Sequence, residues 1–252
     1  AAVRPMSDPA GMPVVYKRYK KEMLTEEEQE LAEQLDRDRK IYEEELMKWR
    51  KNVDYSKFEE LKNLYAEAGL SIFAFKPGVF GKNNSDEDMR YGMRAAKALG
   101  ANHITLEHPS DDEHTARLGK LAEEEGILVG YHGHEQQTPT LWDTAIAQSS
   151  TNRMNLDFGH YIAAENENPV QFIDEKHDKI VSMHLKDRQK RSTGGGNLMW
   201  GTGDTPIKEL VRLIQDKNYT FPVTIEVEYD IPEGSSAVEE VKRCLAYIKN
   251  AL

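Results

Sequence analysis

The chain has 252 residues, 38% of them hydrophobic, with 33 Lys or Arg against 44 Asp or Glu, a formal charge of −11. That balance argues against a nucleic-acid partner, which calls for a basic face, and no apolar run approaches the roughly 18 residues of a membrane span. Cys244 is the single cysteine, so no intrachain disulfide can form.

The chain begins Ala-Ala-Val-Arg. That start fits a soluble protein, either cytoplasmic or the mature part of an exported one. Residues 1–15 carry Pro5, Pro9, Gly11 and Pro13 and read as loop, with Pro13 to Tyr16 extended. Thr25 and Glu28 make a capping box that opens a long charged helix ending at Trp49, with Leu31, Leu35, Ile41, Tyr42 and Leu46 along one stripe. Ser56 to Ala68 reads as a second helix, with Ser56 as its N-cap and Gly69 as its stop. Residues 1–55 therefore form a loop and long helix, part of or appended to a domain at 56–252.

From Ser71 onward strands and helices alternate. The strands are Ser71 to Pro77, Ile104 to Pro109, Ile127 to Glu135, Arg153 to His160, Ile180 to Asp187 and Val223 to Tyr229. Between and after them come helices at Ser85 to Leu99, Asp111 to Glu125, Trp142 to Ser149, Pro169 to His177, Thr205 to Lys217 and Ser235 to Leu252. Such alternation means an α/β protein with a parallel sheet, and at this length a TIM (β/α)8-type barrel. A closed barrel has eight strands, so six imply one that is incomplete or irregular on the N-terminal side. The exposed flank is expected to be covered by the Thr25 to Trp49 helix or by a second subunit of a homo-oligomer.

Side chains two apart on a strand share a face. With that parity the strand ends read Ala74/Lys76, Thr105/Glu107, Gly130/His132, Asn155/Asp157, Ser182/His184 and Thr224/Glu226, a small or neutral residue followed by a chemical one each time. A parallel barrel gathers such ends at one mouth. Asp157, His184 and Glu226, joined by His132, make an N/O ligand set for a divalent ion. His134 and His160 stand where they could orient substrate or join the metal. Lys76 and Lys186 point to the same mouth, either toward a substrate oxygen or into salt bridges with Glu107 or Asp187. Gly194 to Asp204 reads as a substrate loop, too glycine-rich to be rigid alone, in which Trp200 either stacks on a substrate ring or anchors the loop.

Five motifs together carry a family resemblance: YHGHE at 131–135, LDFGH at 156–160, MHLKD at 183–187, WGTGD at 200–204 and IEVEY at 225–229. Over about residues 56–252 the chain resembles the xylose isomerase-like superfamily of sugar phosphate isomerases and epimerases, which also holds inosose dehydratases and an endonuclease group. The resemblance implies that Asp157, His184 and Glu226 occupy metal positions. His132 stands where many members have a glutamate, which leaves His132 or Glu135 as the fourth ligand. It further implies a small carbohydrate substrate and a divalent ion such as Mn, Zn, Co or Mg. Glu226, His134, His160 and Lys186 are then the catalytic candidates, and Lys76, Glu107, His108 and Trp200 the substrate-binding ones. The expected chemistry is removal of a proton beside a metal-chelated carbonyl, ending in isomerisation or epimerisation or, alternatively, in elimination. A nuclease on this fold would need a basic rim, and a non-catalytic sugar-binding barrel would lack metal affinity.

Overall fold

In the computed structural model, which describes residues 11–252, Pro13 lies in the first turn of a helix. Helix α1 (Met12–Tyr19) corrects the expected extended run at Pro13 to Tyr16, because a proline at a helix start gives up only an N–H that the helix leaves unpaired. The loop reading of residues 1–10 lies outside the described residues. Helix α2 (Glu26–Lys51) opens on a complete capping box, with Glu28 N donating to Thr25 Oγ1 at 3.2 Å and Thr25 N to Glu28 Oε2 at 3.0 Å. Lys17–Glu28 and Arg18–Asp36 pairs link the two helices. Together they belong to a unit ending at Asp54, while Tyr55 to Leu252 form a second.

The second unit starts with α3 (Ser56–Glu67). Its N-cap is Tyr55 and no side chain closes it, so Ser56 is the first helical residue rather than the cap. Then follow β1 (Ala74–Phe75), α4 (Asp86–Ala98), β2 (His103–Glu107), α5 (Asp112–Glu125), β3 (Leu128–His132), α6 (Asp143–Gln148), β4 (Asn152–Asp157) and α7 (Phe158–Ala163). The chain continues through α8 (Pro169–Lys176), β5 (Ile180–Leu185), β6 (Asp187–Arg188), β7 (Asn197–Leu198), α9 (Ile207–Lys217), β8 (Val223–Ile225) and α10 (Ala237–Lys249). Ser85, Asp111 and Ser236 cap α4, α5 and α10 through their side-chain oxygens.

The main sheet runs β1-β2-β3-β4-β5-β8, every pairing parallel, and β6 with β7 makes a separate antiparallel ribbon. Six strands curl into a half-barrel, an incomplete form of the eight-stranded TIM barrel. Both edge strands, β1 and β8, are short.

One face of the sheet is apolar, with Ile104, Val129, Tyr131, Met154, Leu156, Met183 and Leu185 buried. The other carries polar layers. His103 Nε2 lies 2.9 Å from Ser182 Oγ, and one step up Asn155 Nδ2 donates to Thr105 Oγ1 at 2.7 Å. Gly130 makes room for them: a Cβ there would stand 3.1 Å from the His103 ring and 3.2 Å from Asn155 Cβ. Above these layers the six strand ends carry the chemical residues.

Strand β4 ends at Asp157, not at His160 as the sequence reading had it. Asp157 Oδ1 accepts from His160 N at 2.8 Å and so caps α7, a helix that the sequence reading did not include.

Candidate active site

Three of the four proposed metal ligands, His132, Asp157 and His184, place one ligand atom each within 4.8 Å of one another at the ends of β3, β4 and β5. Glu226, just past β8, brings Oε2 to 3.3 Å from His184 Nδ1. His132 Nδ1, Asp157 Oδ2, His184 Nδ1 and Glu226 Oε2 are all buried atoms without an aligned hydrogen bond. A second group, Glu107, His132 and His134, adjoins the first through His132.

Lys186 is a buried cation. Its ammonium, on a side chain only 2% exposed, lies 2.9 Å from Asp157 Oδ2, 3.0 Å from Glu226 Oε2 and 2.5 Å from Glu228 Oε2. It donates its hydrogen bond to Glu228. Asp187, one of the alternatives for Lys186, is not its partner: Asp187 accepts from Gly201 N, Gly203 N and Thr205 N at 2.8, 3.0 and 3.2 Å. Those bonds hold the glycine-rich loop in place.

Burial shifts the titrations. It pushes the Asp157 carboxyl up from its ordinary value, and the neighbouring Lys186 pulls it back only in part. Burial also acts upward on Glu226, but His184 and Lys186 outweigh it and hold the carboxyl well below the usual range. Burial, helped by His184, takes the His132 imidazole down to about 4. His160 falls to about 3 through burial and the nearby cations Lys186 and Arg188. A buried neutral imidazole at His132 and an ionised carboxylate at Glu226 are the protonation states that divalent ions require of their ligands.

The remaining candidates divide. His134 lies with its ring 4.7 Å from that of His132 and 4.8 Å from that of His160, and its Nδ1 is 3.3 Å from Glu107 Oε2. Lys76 pairs with Glu107 Oε1 at 2.5 Å, the salt-bridge alternative. His108 is turned onto the Tyr131 and Trp142 rings, with Nδ1 2.7 Å from Pro109 O, and stands apart from the cluster. Trp200 is 9% exposed and packs edge-on against Tyr247 of α10, the position of a loop anchor. Glu135 pairs with Arg188 at 2.8 Å and Arg191 at 3.4 Å, which turns its carboxylate toward arginines rather than the ligand cluster.

Arg188 and Glu228 are site residues that sequence reasoning passed over. Arg188 lies three residues beyond the end of β5 on the short β6, buried, with Nη1 2.5 Å from His160 Nδ1. Glu228 shares the strand parity of Glu226 and was readable by that signal.

A family model for the xylose isomerase-like TIM barrel matches residues 33–249. An inosose dehydratase of Clostridium beijerinckii is 26% identical over 153 residues, 53% of this chain and 51% of that protein. The chain spans about half the length of the curated relatives it matches. Among solved structures, a xylose isomerase domain protein from Planctomyces limnophilus aligns with a TM-score of 0.62 at 16% identity, covering 79% of this chain and 82% of that one. The 3-keto-D-glucoside 4-epimerase of E. coli gives 0.60 at 16%, covering 78% and 85%. A probable 3-DHS dehydratase from Bacillus anthracis gives 0.61 at 14%, covering 80% and 85%. At these identities the likeness to solved structures is one of fold. With the family model spanning most of the sequence, the chain belongs to the xylose isomerase-like TIM barrel family.

Proposed function

We propose that this protein is a metal-assisted enzyme that moves a proton beside the carbonyl of a small carbohydrate. The observation that supports the reading is the convergence of His132, Asp157, His184 and Glu226 from the ends of four strands, with His132, Asp157 and His184 each offering a ligand atom within 4.8 Å of the others and Glu226 Oε2 3.3 Å from His184 Nδ1. Two carboxylates and two imidazoles suit a divalent transition ion. Held by these residues, such an ion would polarise a carbonyl and neighbouring hydroxyl and acidify the intervening C–H.

The protein's own groups supply the rest. Glu226, kept ionised by its neighbours, is the proton acceptor. Lys186 sits among three carboxylates and can stabilise developing charge on a substrate oxygen. His160 presents a protonated Nε2 toward Asp157, and is a donor in this reading rather than a base. Lys76 and Glu107 bind sugar hydroxyls at the sheet edge, with His134 beside them.

Return of the proton to a different face or carbon gives epimerisation or isomerisation. Elimination is the second reading, favoured by Lys186, whose ammonium could protonate a departing oxygen while His160 Nε2 donates a hydrogen bond, and consistent with the inosose dehydratase relatives. The test is hydrogen–deuterium exchange at the α-carbon of a panel of keto sugars and inososes in D2O. Exchange that needs both a divalent ion and Glu226 supports the reading, and its absence across the panel overturns it.

A further inference from the structure

The proposed site uses Lys76 and Glu107 but not the space beyond them. There a cleft of about 670 Å³ opens between the β1–α4 and β2–α5 loops. Glu107 belongs both to its wall and to the group with His132 and His134, so cleft and cluster are continuous. The cleft lies in the size range of small-ligand sites, roughly 300–1,000 Å³. A single sugar ring held at the cluster would leave it unfilled.

The cleft is built rather than loose. Val79 and Phe80, 1% and 3% exposed, anchor the β1–α4 loop. They reach their places because Gly92 of α4 has no side chain: a Cβ there would lie 2.6 Å from Val79 Cγ2 and 2.7 Å from the Phe80 ring. From α5, His114 Nε2 bonds Phe80 O at 2.8 Å, and Arg117 donates to Lys82 O at 3.1 Å and to Asn84 O at 2.8 Å. An ion pair between Lys82 and Asp111 ties the two loops together. Pro77, Phe80, Leu106 and Pro109 give the lining an apolar character that sugar hydroxyls do not call for.

We infer that this cleft receives a group attached glycosidically to the sugar at the cluster, so that the substrate class is a glycoside with an apolar, ring-shaped aglycone rather than a free monosaccharide. The inference rests on the proposed function for the position of the sugar. Pocket walls fixed by buried anchors lose little freedom when they take up a ligand, and the apolar ring gains by leaving water.

Gly78 offers a direct test. It lines the cleft, and a Cβ added there meets nothing within 4 Å, so Gly78→Phe should fold and fill the space. Binding of phenyl glucoside and methyl glucoside to the Mn2+-loaded protein is measured by titration calorimetry. The wild type should bind phenyl glucoside about tenfold or more tighter, the worth of burying a modest apolar area. Gly78→Phe should remove that gain and leave methyl glucoside unchanged. Equal affinities in the wild type, no detectable phenyl glucoside binding, or a gain that survives in Gly78→Phe would overturn the inference. Proton exchange on free keto sugars without the phenyl gain defeats this inference alone, whereas the gain without exchange on any sugar defeats the functional reading alone.

Discussion

Arg188 Nη1 lies 2.5 Å from His160 Nδ1, and a guanidinium can only donate. Nδ1 is therefore the acceptor, and His160 is a neutral imidazole with its proton on Nε2, the nitrogen 3.9 Å from Asp157 Oδ2. Arg188 is itself aimed by Glu135 at 2.8 Å and by Gly195 O. Arg188→Gln should leave His160 in a mixture of tautomers, seen in the 15N spectrum of imidazole-labelled protein, and should slow turnover by up to roughly a hundredfold, the usual cost of a misplaced group. A wild type already showing both tautomers would contradict this geometry.

Glu226→Gln keeps one oxygen for a metal and loses its basicity. The variant should retain appreciable metal and lose at least roughly a hundredfold in α-proton exchange, the worth of a general base. Exchange at the wild-type rate would move the base to another group, His134 first, since His160 lacks a free nitrogen in the observed tautomer.

Lys186→Met should be least tolerated in the absence of divalent ions. It would leave Asp157, Glu226 and Glu228 facing one another without a counter-charge. Breaking a buried pair in this way costs roughly 3–5 kcal/mol. Urea unfolding should show a loss of that size in chelator and a large recovery with Mn2+. Equal losses in both conditions would mean that the ion does not bind beside these carboxylates.

The buried His103 sets a pH dependence of stability. Burial pushes its imidazole down to about 4 from 6.5. Between those values the unfolded chain takes up a proton that the folded one refuses. Stability from this source is full above about pH 6.5 and declines by up to roughly 3 kcal/mol as pH falls toward 4. His103→Asn should flatten that part of the profile in unfolding measurements from pH 7 to 4.5; an unchanged slope would assign the dependence to other groups.

The barrel and its mouth were largely legible because both rest on local rules. Two-residue parity brought Lys76, Glu107, His132, Asp157, His184 and Glu226 to one end, and the sheet is parallel as the alternation implied. The capping box of Thr25 and Glu28 read correctly for the same reason, while the cap expected at Ser56 falls one residue earlier, on Tyr55. What stayed hidden depends on the third dimension. LDFGH reads as one strand because nothing local reveals that the Asp157 side chain turns back to cap α7. Arg188 reaches His160 only because the chain reverses through the β6–β7 ribbon. Trp200, open to two readings in sequence, is placed by contact with Tyr247, 47 positions away, which no pattern along the chain records.

A single divalent ion is proposed to be held by His132, Asp157, His184 and Glu226. This is tested by elemental analysis of wild type and His184→Ala after loading with Mn2+ or Zn2+ and dialysis. About one ion per chain is expected in the wild type and loss of most of it in the variant, since changing even a partner that orients a ligand typically weakens a site about ten- to a hundredfold and removing the ligand itself weakens it further. A wild type that retains no ion, or a variant that retains a full equivalent, would contradict the proposal.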